Sequence, residues 1–280
     1  MKDFDGYLKP EDYAEPRCLL CDEAYGVTPQ VKSVPQSRII EKMNDYMSRR
    51  DYNGAERHLL YWLEESRLGL DKGGELLISN EMVGHYRKTG EKEKAFEAID
   101  NALRLVEELG FSQNVSAATT FVNCATAYNA FGENEKSIAL FEKARAIYEA
   151  DSSASPELLG GLYNNMALCF FALGEFGKSL ELYEKALDTM AKVPHGELEQ
   201  AITCLNIADV YAASLDEDES EKKIEPLVEK AYSLLIDSDA PKDGYYAFVC
   251  EKCAPVFSYY GFFLYADKLK KTAEEIYERA

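Results

Sequence analysis

The sequence has few of the residues that mark catalytic or metal-binding sites. Its three histidines, His58, His85 and His195, lie in different repeats, and beside none of them does a second histidine or a carboxylate at metal-ligand spacing stand out. No nucleophile–base constellation, nucleophile elbow or H-E-x-x-H motif is present. The sequence therefore predicts that the chain is not an enzyme and needs no cofactor.

Long apolar runs and an excess of basic residues are also missing. No stretch approaches the roughly 18 consecutive apolar residues of a membrane helix, and the first twenty residues, which are acidic and contain two prolines, do not resemble a signal peptide. Lys and Arg number 31 and Asp and Glu 50, a net charge of −19, whereas proteins that bind nucleic acid or anionic membranes are more often basic. We expect a cytoplasmic protein whose partner is a protein or peptide, with no nucleic-acid or membrane partner; the oligomeric state does not follow from the sequence.

Proline is absent between Pro35 and Pro156, while four of the nine prolines lie in the first 35 residues. Proline interrupts helices because it lacks a backbone N–H and fixes φ. The distribution predicts an irregular N-terminal arm at residues 1–35 and a helical repeat domain at residues 36–280.

The main positive signal is a repeat of about 42 residues. In residues 160–191, two segments with apolar residues at helical spacing meet at Gly174. Small residues occupy the positions where two helices must approach closely, as at Ala167 and Ser179. The same layout occurs 42 residues earlier around Gly132, and again around Gly90. A fixed period of this length indicates a stacked helical array.

These segments resemble the tetratricopeptide repeat, which carries an A…Y…G…A…F/Y…A signature on two antiparallel helices. The usual period is about 34 residues, and the longer spacing is similar to the subclass found in kinesin light chain and in bacterial regulatory repeat proteins. The resemblance covers roughly residues 36–280 and is clearest over 76–191. It implies an all-α, right-handed solenoid of about six antiparallel helix pairs.

Several joints are predicted from local signals. The two glycines of residues 70–75 should break the chain between helices, Gly110 should cap a helix in the left-handed conformation, and Ser155 should cap the helix that starts at Pro156. The acidic segment 214–221 should form a solvated loop within the fifth repeat.

Two short motifs suggest other chemistry. Residues 172–179 fit a relaxed phosphate-loop pattern, but a helix precedes them instead of a strand, and the repeat explains each residue. Cys18 with Cys21 and Cys250 with Cys253 have the spacing of two halves of a zinc site. The alternative is that Cys250 and Cys253 are core residues on one helix face, and the sequence does not require a metal.

The candidate binding site is a row of asparagines, one per repeat, on the first helix of each pair. Asn123, Asn165 and Asn206 each lie two residues before a small alanine and five before an aromatic. In the subclass that the sequence resembles, such asparagines hold the backbone of an extended peptide; alternatively, each bonds to a neighbouring helix. The full candidate set is Asn123, Asn165, Asn206, Asn80, Asn164, Thr126, Asn129, Leu168, Phe171, Asp209 and Arg87.

These features predict a non-catalytic scaffold that binds a peptide or protein segment in a concave groove. The alternative is a regulator in which a short signalling peptide occupies the groove and the arm or a terminal repeat responds.

Overall fold

The computed structural model describes residues 30–279, and within that range the chain forms twelve α-helices and no strand. The helices follow one another as six pairs. The first three pairs are α1 Gln36–Ser48 with α2 Tyr52–Leu68, α3 Lys72–Thr89 with α4 Lys92–Glu108, and α5 Val115–Ala130 with α6 Asn134–Ala150. The last three are α7 Pro156–Ala172 with α8 Phe176–Met190, α9 Glu197–Ser214 with α10 Glu217–Ile236, and α11 Gly244–Tyr259 with α12 Phe263–Tyr277.

The pairs stack through both of their helices. Each first helix contacts the first helix of the next pair from α3 to α11, so that these helices form one continuous face. The core consists of two adjoining clusters, residues 34–210 and residues 198–273, and the half-buried Leu187, Tyr211 and Leu227 pack on both. The predicted all-α solenoid of about six helix pairs is confirmed.

The tight turn within a pair depends on glycine. Gly90, Gly132, Gly174 and Gly261 all have positive φ, between 74° and 85°, just after the first helix of their pairs. Glycine adopts this left-handed conformation without the Cβ clash of other residues. Gly110, with φ 69°, ends α4 in the same way, as expected from the sequence.

A buried serine fixes the second helix of a pair on the first. Ser137 Oγ donates to the carbonyl oxygen of Ala125 at 2.7 Å, and Ser179 Oγ donates to that of Ala167 at 2.9 Å. All four residues are fully buried. Ser179, the last residue of the phosphate-loop-like pattern, is thus used by the helix pair, and Gly174 of the same pattern makes the turn.

The helices separate at residues 69–71, at the start of the predicted break, but the assignment of the break to the two glycines is wrong, because α3 begins at Lys72 and includes both. Asp71 caps this helix: its carboxylate accepts from the backbone N–H of Gly74 at 2.9 Å and from that of Val34 at 2.9 Å. A Cβ on Gly74 would lie 2.5 Å from both Asp71 and Val34, so the glycine is needed for close approach and not for flexibility.

The acidic loop expected at residues 214–221 is also wrong in its extent. Asp216 caps α10 by accepting from the N–H of Glu219 at 2.9 Å, and the acids that follow form the first turn of a 20-residue helix. Carboxylates are stabilised at this end by the helix dipole. Ser155 precedes Pro156 as expected, but its side chain makes no capping hydrogen bond.

The N-terminal arm lies almost wholly outside the described residues. Within it, only residues 30–35 are seen: Lys32 N–H donates to the Gly69 carbonyl at 2.9 Å, and Val34 is buried. A regulator and a plain scaffold would differ in whether the arm responds to a bound peptide. Most of the arm lies outside the described residues.

Of the four cysteines in the zinc alternative, Cys18 and Cys21 also lie outside the described residues. Cys250 and Cys253 are buried on the inner face of α11, and burial raises the pKa of the Cys253 thiol to about 12. Among residues 30–279, no group of three or more His, Cys, Asp or Glu side chains is placed to hold a metal ion.

Candidate peptide-binding groove

Two adjacent cavities open on the face formed by the first helices. One has a volume of about 380 Å³, and its lining comes from α1, α3, α5 and α7. The other, of about 440 Å³, shares Asn80, Glu81 and Asn123 with it. We call the two cavities together the groove. The lining of the first cavity is Met43, Asn44, Met47, Asn80, Glu81, Gly84, His85, Arg87, Val122, Asn123, Thr126 and Asn165.

On four of the first helices, the repeat places one polar side chain on this face, five residues before the aromatic that recurs in each of these pairs. In α3, α5, α7 and α9, these ladder positions are Glu81, Asn123, Asn165 and Asn206. Asn123 is exposed and the other three are half-buried. In the described part of the chain, the amides of the three asparagines make no hydrogen bond, so their donors and acceptors are available to a partner.

Glu81 was missed by the sequence prediction. It lies two residues before Val83 and five before Tyr86, the same offsets that selected the three asparagines, but its side chain is a carboxylate. Burial raises the pKa of Glu81 above its ordinary value, and no ion pair neutralises it within residues 30–279. The ladder therefore has a carboxylate in the second pair and amides in the next three.

One residue before the ladder, Asn80 and Asn164 have a different environment. Asn80 Nδ2 donates to Thr120 Oγ1 at 3.0 Å, which connects α3 to α5. Asn164 Oδ1 accepts from Thr203 Oγ1 at 2.9 Å, which connects α7 to α9. The two bonds occupy the same position in the repeat, although Asn80 donates and Asn164 accepts. In each, the residue six before the aromatic of one pair bonds to the residue eight before the aromatic of the next pair.

These bonds place the two asparagines between neighbouring first helices. We call this contact zone, which contains Asn80, Thr120, Asn164 and Thr203, the seam. Asn164 is buried, with 8% of its surface exposed, and its amide is not offered to the groove. Asn80 is half-buried at the edge of both cavities, with its Nδ2 used by Thr120 and by the carbonyl of Leu76 at 3.2 Å.

The remaining polar candidates are spread along the same helices. Thr126 lines the groove and donates to the carbonyl of Val122, four residues earlier, at 2.7 Å. Asn129 is half-buried near the end of α5. Asp209 accepts a hydrogen bond from the Tyr260 hydroxyl at 2.6 Å, and burial raises the pKa of Asp209.

The apolar candidates lie on α7. Leu168 is 37% exposed, and Phe171 is half-buried with its ring centroid 5.9 Å from that of Phe176. Neither residue lines the two cavities, and the same holds for Asn129, Asn206 and Asp209. The cavities thus cover the α1–α7 half of the predicted site, and the other candidates continue beyond it toward α9.

Charged side chains distinguish the α3 end of the groove. Arg87 is exposed in the groove lining and makes no ion pair within the described residues; removal of water by the surrounding walls lowers the pKa of its guanidinium. Lys88 instead lies over the Tyr52 ring, 5.6 Å from its centroid. His85, 3% exposed, has its pKa lowered by burial.

Taken together, the groove offers amides that can donate and accept, one carboxylate, one guanidinium, and the apolar Met43, Met47 and Val122.

In the segment 30–279, no helix is both long enough and apolar enough to cross a membrane.

The tetratricopeptide repeat family model matches residues 75–150. No curated protein sequence is significantly similar to this chain.

Several solved structures have the same fold at low identity. NprR in complex with its cognate peptide NprX superposes with a TM-score of 0.57 at 14% identity, covering 91% of this chain and 71% of that one. BtubC (BKLC) from P. vanneervenii gives 0.51 at 18%, covering 87% and 91%. A putative kinesin light chain from Podosopora anserina with nearly identical repeats gives 0.50 at 18%, covering 71% and 92%.

The repeat signature, the six stacked helix pairs and the match over residues 75–150 agree. Residues 75–150 therefore carry tetratricopeptide repeats, and residues 30–279 have the fold of a tetratricopeptide repeat solenoid.

Proposed function

We propose that this chain is a non-catalytic interaction module that binds an extended peptide or protein segment along the groove. The supporting observation is the difference between adjacent asparagines. Asn164 is bonded within the protein, whereas the amides at the ladder positions Asn123, Asn165 and Asn206 make no bond in the described chain. A half-exposed amide that is held on a helix and left unbonded can pair with both the C=O and the N–H of a peptide backbone.

The fold and the charge agree with this proposal. Tetratricopeptide repeats are generally protein-interaction scaffolds, and NprR, which shares the fold, was solved with a bound peptide. Glu81 and Arg87 lie in the groove without ion partners, so a peptide with a cationic group near Glu81 and an anionic group near Arg87 gains two attractive contacts. The half-buried Met47 gives the same end an adaptable apolar surface.

Selection of a random peptide library on the immobilised chain tests the proposal. We expect the selected peptides to differ in side chains, to compete for one site, and to lose affinity when their backbone amides are N-methylated, because ladder amides recognise the backbone. Peptides that keep their affinity after N-methylation, or that bind an Asn123→Ala/Asn165→Ala/Asn206→Ala variant as well as the native chain, contradict it.

A further inference from the structure

The turn inside the last helix pair differs from its counterparts. In pairs two, three and four, the left-handed glycine is followed by Glu and, three residues after that, by Lys. The Glu and Lys side chains form an ion pair at 2.5, 3.4 and 2.5 Å in the segments 90–94, 132–136 and 174–178. In the last pair the corresponding segment, 261–265, is Gly-Phe-Phe-Leu-Tyr, which has no charge.

This last turn presents large apolar side chains to solvent. Tyr259 is 77% exposed, Phe263 64% and Leu264 83%. Tyr260 is fixed in place by its hydrogen bond to Asp209, and the Tyr259 ring packs edge-on against it with centroids 5.0 Å apart. The patch is therefore an ordered surface that the fold itself does not bury, and such surfaces mark interaction sites.

A cleft of about 860 Å³ lies between this turn and the first turns of α10. We call it the edge cleft. Its aromatic wall includes Tyr259, Tyr260 and Phe262, and Ile224 lies between the walls. The opposite wall carries Glu217, Glu221 and Glu225, which are exposed and make no ion pair within residues 30–279.

The three acids follow one another at intervals of four residues along α10. Residues four apart on a helix lie on one face, about 6 Å apart along the axis. One wall of the edge cleft is thus a row of negative charge, and the other is a row of aromatic rings. An amphipathic helix with Lys or Arg on one side and large apolar residues on the other is complementary to both walls at once.

We propose that the edge cleft binds a basic amphipathic helix of a partner protein, independently of the groove. A second copy of this chain is disfavoured as the occupant, because the chain carries a net charge of −19 and would bring acids to an acidic wall. The groove lies on α1, α3, α5 and α7, whereas the edge cleft is formed by α9, α10 and the α11–α12 turn, so the two sites can be tested separately.

The probe is a fluorescein-labelled helical peptide of about 18 residues with leucine on one face and lysine on the other, measured by fluorescence polarisation at about 150 mM salt, where long-range attraction is screened. We expect it to bind the native chain, and its counterpart with glutamate in place of lysine not to bind. Two separate variants should weaken binding about tenfold to a hundredfold: Tyr259→Ser and Glu217→Gln/Glu221→Gln/Glu225→Gln. All four positions line the edge cleft and are exposed, so the helical circular-dichroism spectrum should not change.

A charge-matched control is available on α4. Glu93, Glu97 and Asp100 are exposed on one side of that helix, and Glu93→Gln/Glu97→Gln/Asp100→Asn changes the net charge by the same three units. We expect this variant, and the triple Asn→Ala groove variant, to bind the probe as the native chain does. An equal loss in the α4 control shows that the peptide senses net charge alone and overturns the proposal. Self-association of the native chain that Tyr259→Ser abolishes, seen by ultracentrifugation, overturns it in favour of a second copy.

Discussion

Asn164 and Asn165 are adjacent in the sequence and serve different surfaces of the same helix. Asn164 is buried in the seam between α7 and α9 and bonded to Thr203, while Asn165 lines the groove and is unbonded in the described chain. A rotation of about 100° per residue on a helix is enough to separate them. Asparagine content alone therefore does not distinguish the seam from the groove; the register relative to the aromatic does.

The largest effect on peptide affinity is expected from removing the ladder amides. Asn123→Ala/Asn165→Ala/Asn206→Ala should weaken binding of a library-selected peptide by roughly tenfold to a thousandfold, because each hydrogen bond contributes about 0.5–1.5 kcal/mol. The melting temperature should remain near that of the native chain, since these amides make no internal bond in the described residues. Titration by fluorescence polarisation and a thermal melt on the same variant provide both numbers.

The seam control for that triple variant is Asn164→Ala, which alters a residue next to the ladder that lines neither cavity. We expect it to lower the melting temperature and to preserve the affinity of the folded protein more fully. If the two variants lose affinity equally, the distinction between ladder and seam is incorrect.

The next effect concerns the core between the two surfaces. Ala167 is fully buried, two residues after Asn165, and its carbonyl accepts from Ser179. Ala167→Leu forces α7 and α8 apart and should cost about 1–3 kcal/mol or more. The check is the midpoint of chemical denaturation, with the exposed Ala172→Leu at the end of α7 as the control that should change little. Equal midpoints for both variants and the native chain are inconsistent with the observed packing.

The sequence predicted the helix pairs because their determinants are local. A left-handed glycine, a small residue at the helix contact and an aromatic four residues before the glycine recur at a fixed interval, as in the segments ending at Gly132 and Gly174. The glycine, the small residue and the aromatic all favour the same helix pair. A fold is predictable when such local preferences agree with the global structure. The order of six pairs followed directly.

The errors arose where an aspartate cap decided the local conformation. Gly74 looks like a helix breaker, but Asp71 and Val34 pack where its side chain would be, so the helix begins before it. The acidic segment at 214–221 looks like a loop, but Asp216 caps a helix through it. In both places, one aspartate that accepts a backbone N–H outweighed the local composition.

The sequence predicted which candidate residues lie on the face of the first helices, and their role in binding stays a prediction. The offset from the aromatic selects Asn123 and Asn165, and Glu81 has the same offset but does not carry the asparagine of that pattern. Asn164 entered the set because a one-residue shift in register cannot be resolved without knowing that Thr203 lies opposite. A pattern taken from one repeat does not predict hydrogen-bond partners in the next repeat.

A smaller effect sharpens the comparison at the seam. Asn164→Ala removes the hydrogen bond from Thr203 and should lower stability by about 0.5 kcal/mol, the low end for a hydrogen bond. The low value is expected because Asn164 Nδ2 is buried without a partner in the described residues, and removing it offsets part of the loss. Thr203→Val is the reciprocal test: in a double-mutant cycle on melting temperature, the two changes should be less than additive. Additive effects mean that the bond does not contribute.

The smallest expected effect is a pH dependence at the carboxylate end of the ladder. Burial raises the pKa of Glu81 above the 4.5 of an unperturbed glutamate, so the folded chain binds more protons than the unfolded chain between those two values. Stability from this residue is therefore greatest at low pH and falls as pH rises through that interval. Glu81→Gln removes the ionisation, so relative to the native chain the variant should gain stability with rising pH, by no more than about 0.5 kcal/mol at neutral pH. Denaturation midpoints at about pH 4 and about pH 7 measure the change, and Glu93→Gln on the exposed side of α4 is the control. If a bound peptide places a cation beside Glu81, its presence should abolish this gain, since the paired carboxylate is then favoured in its charged form.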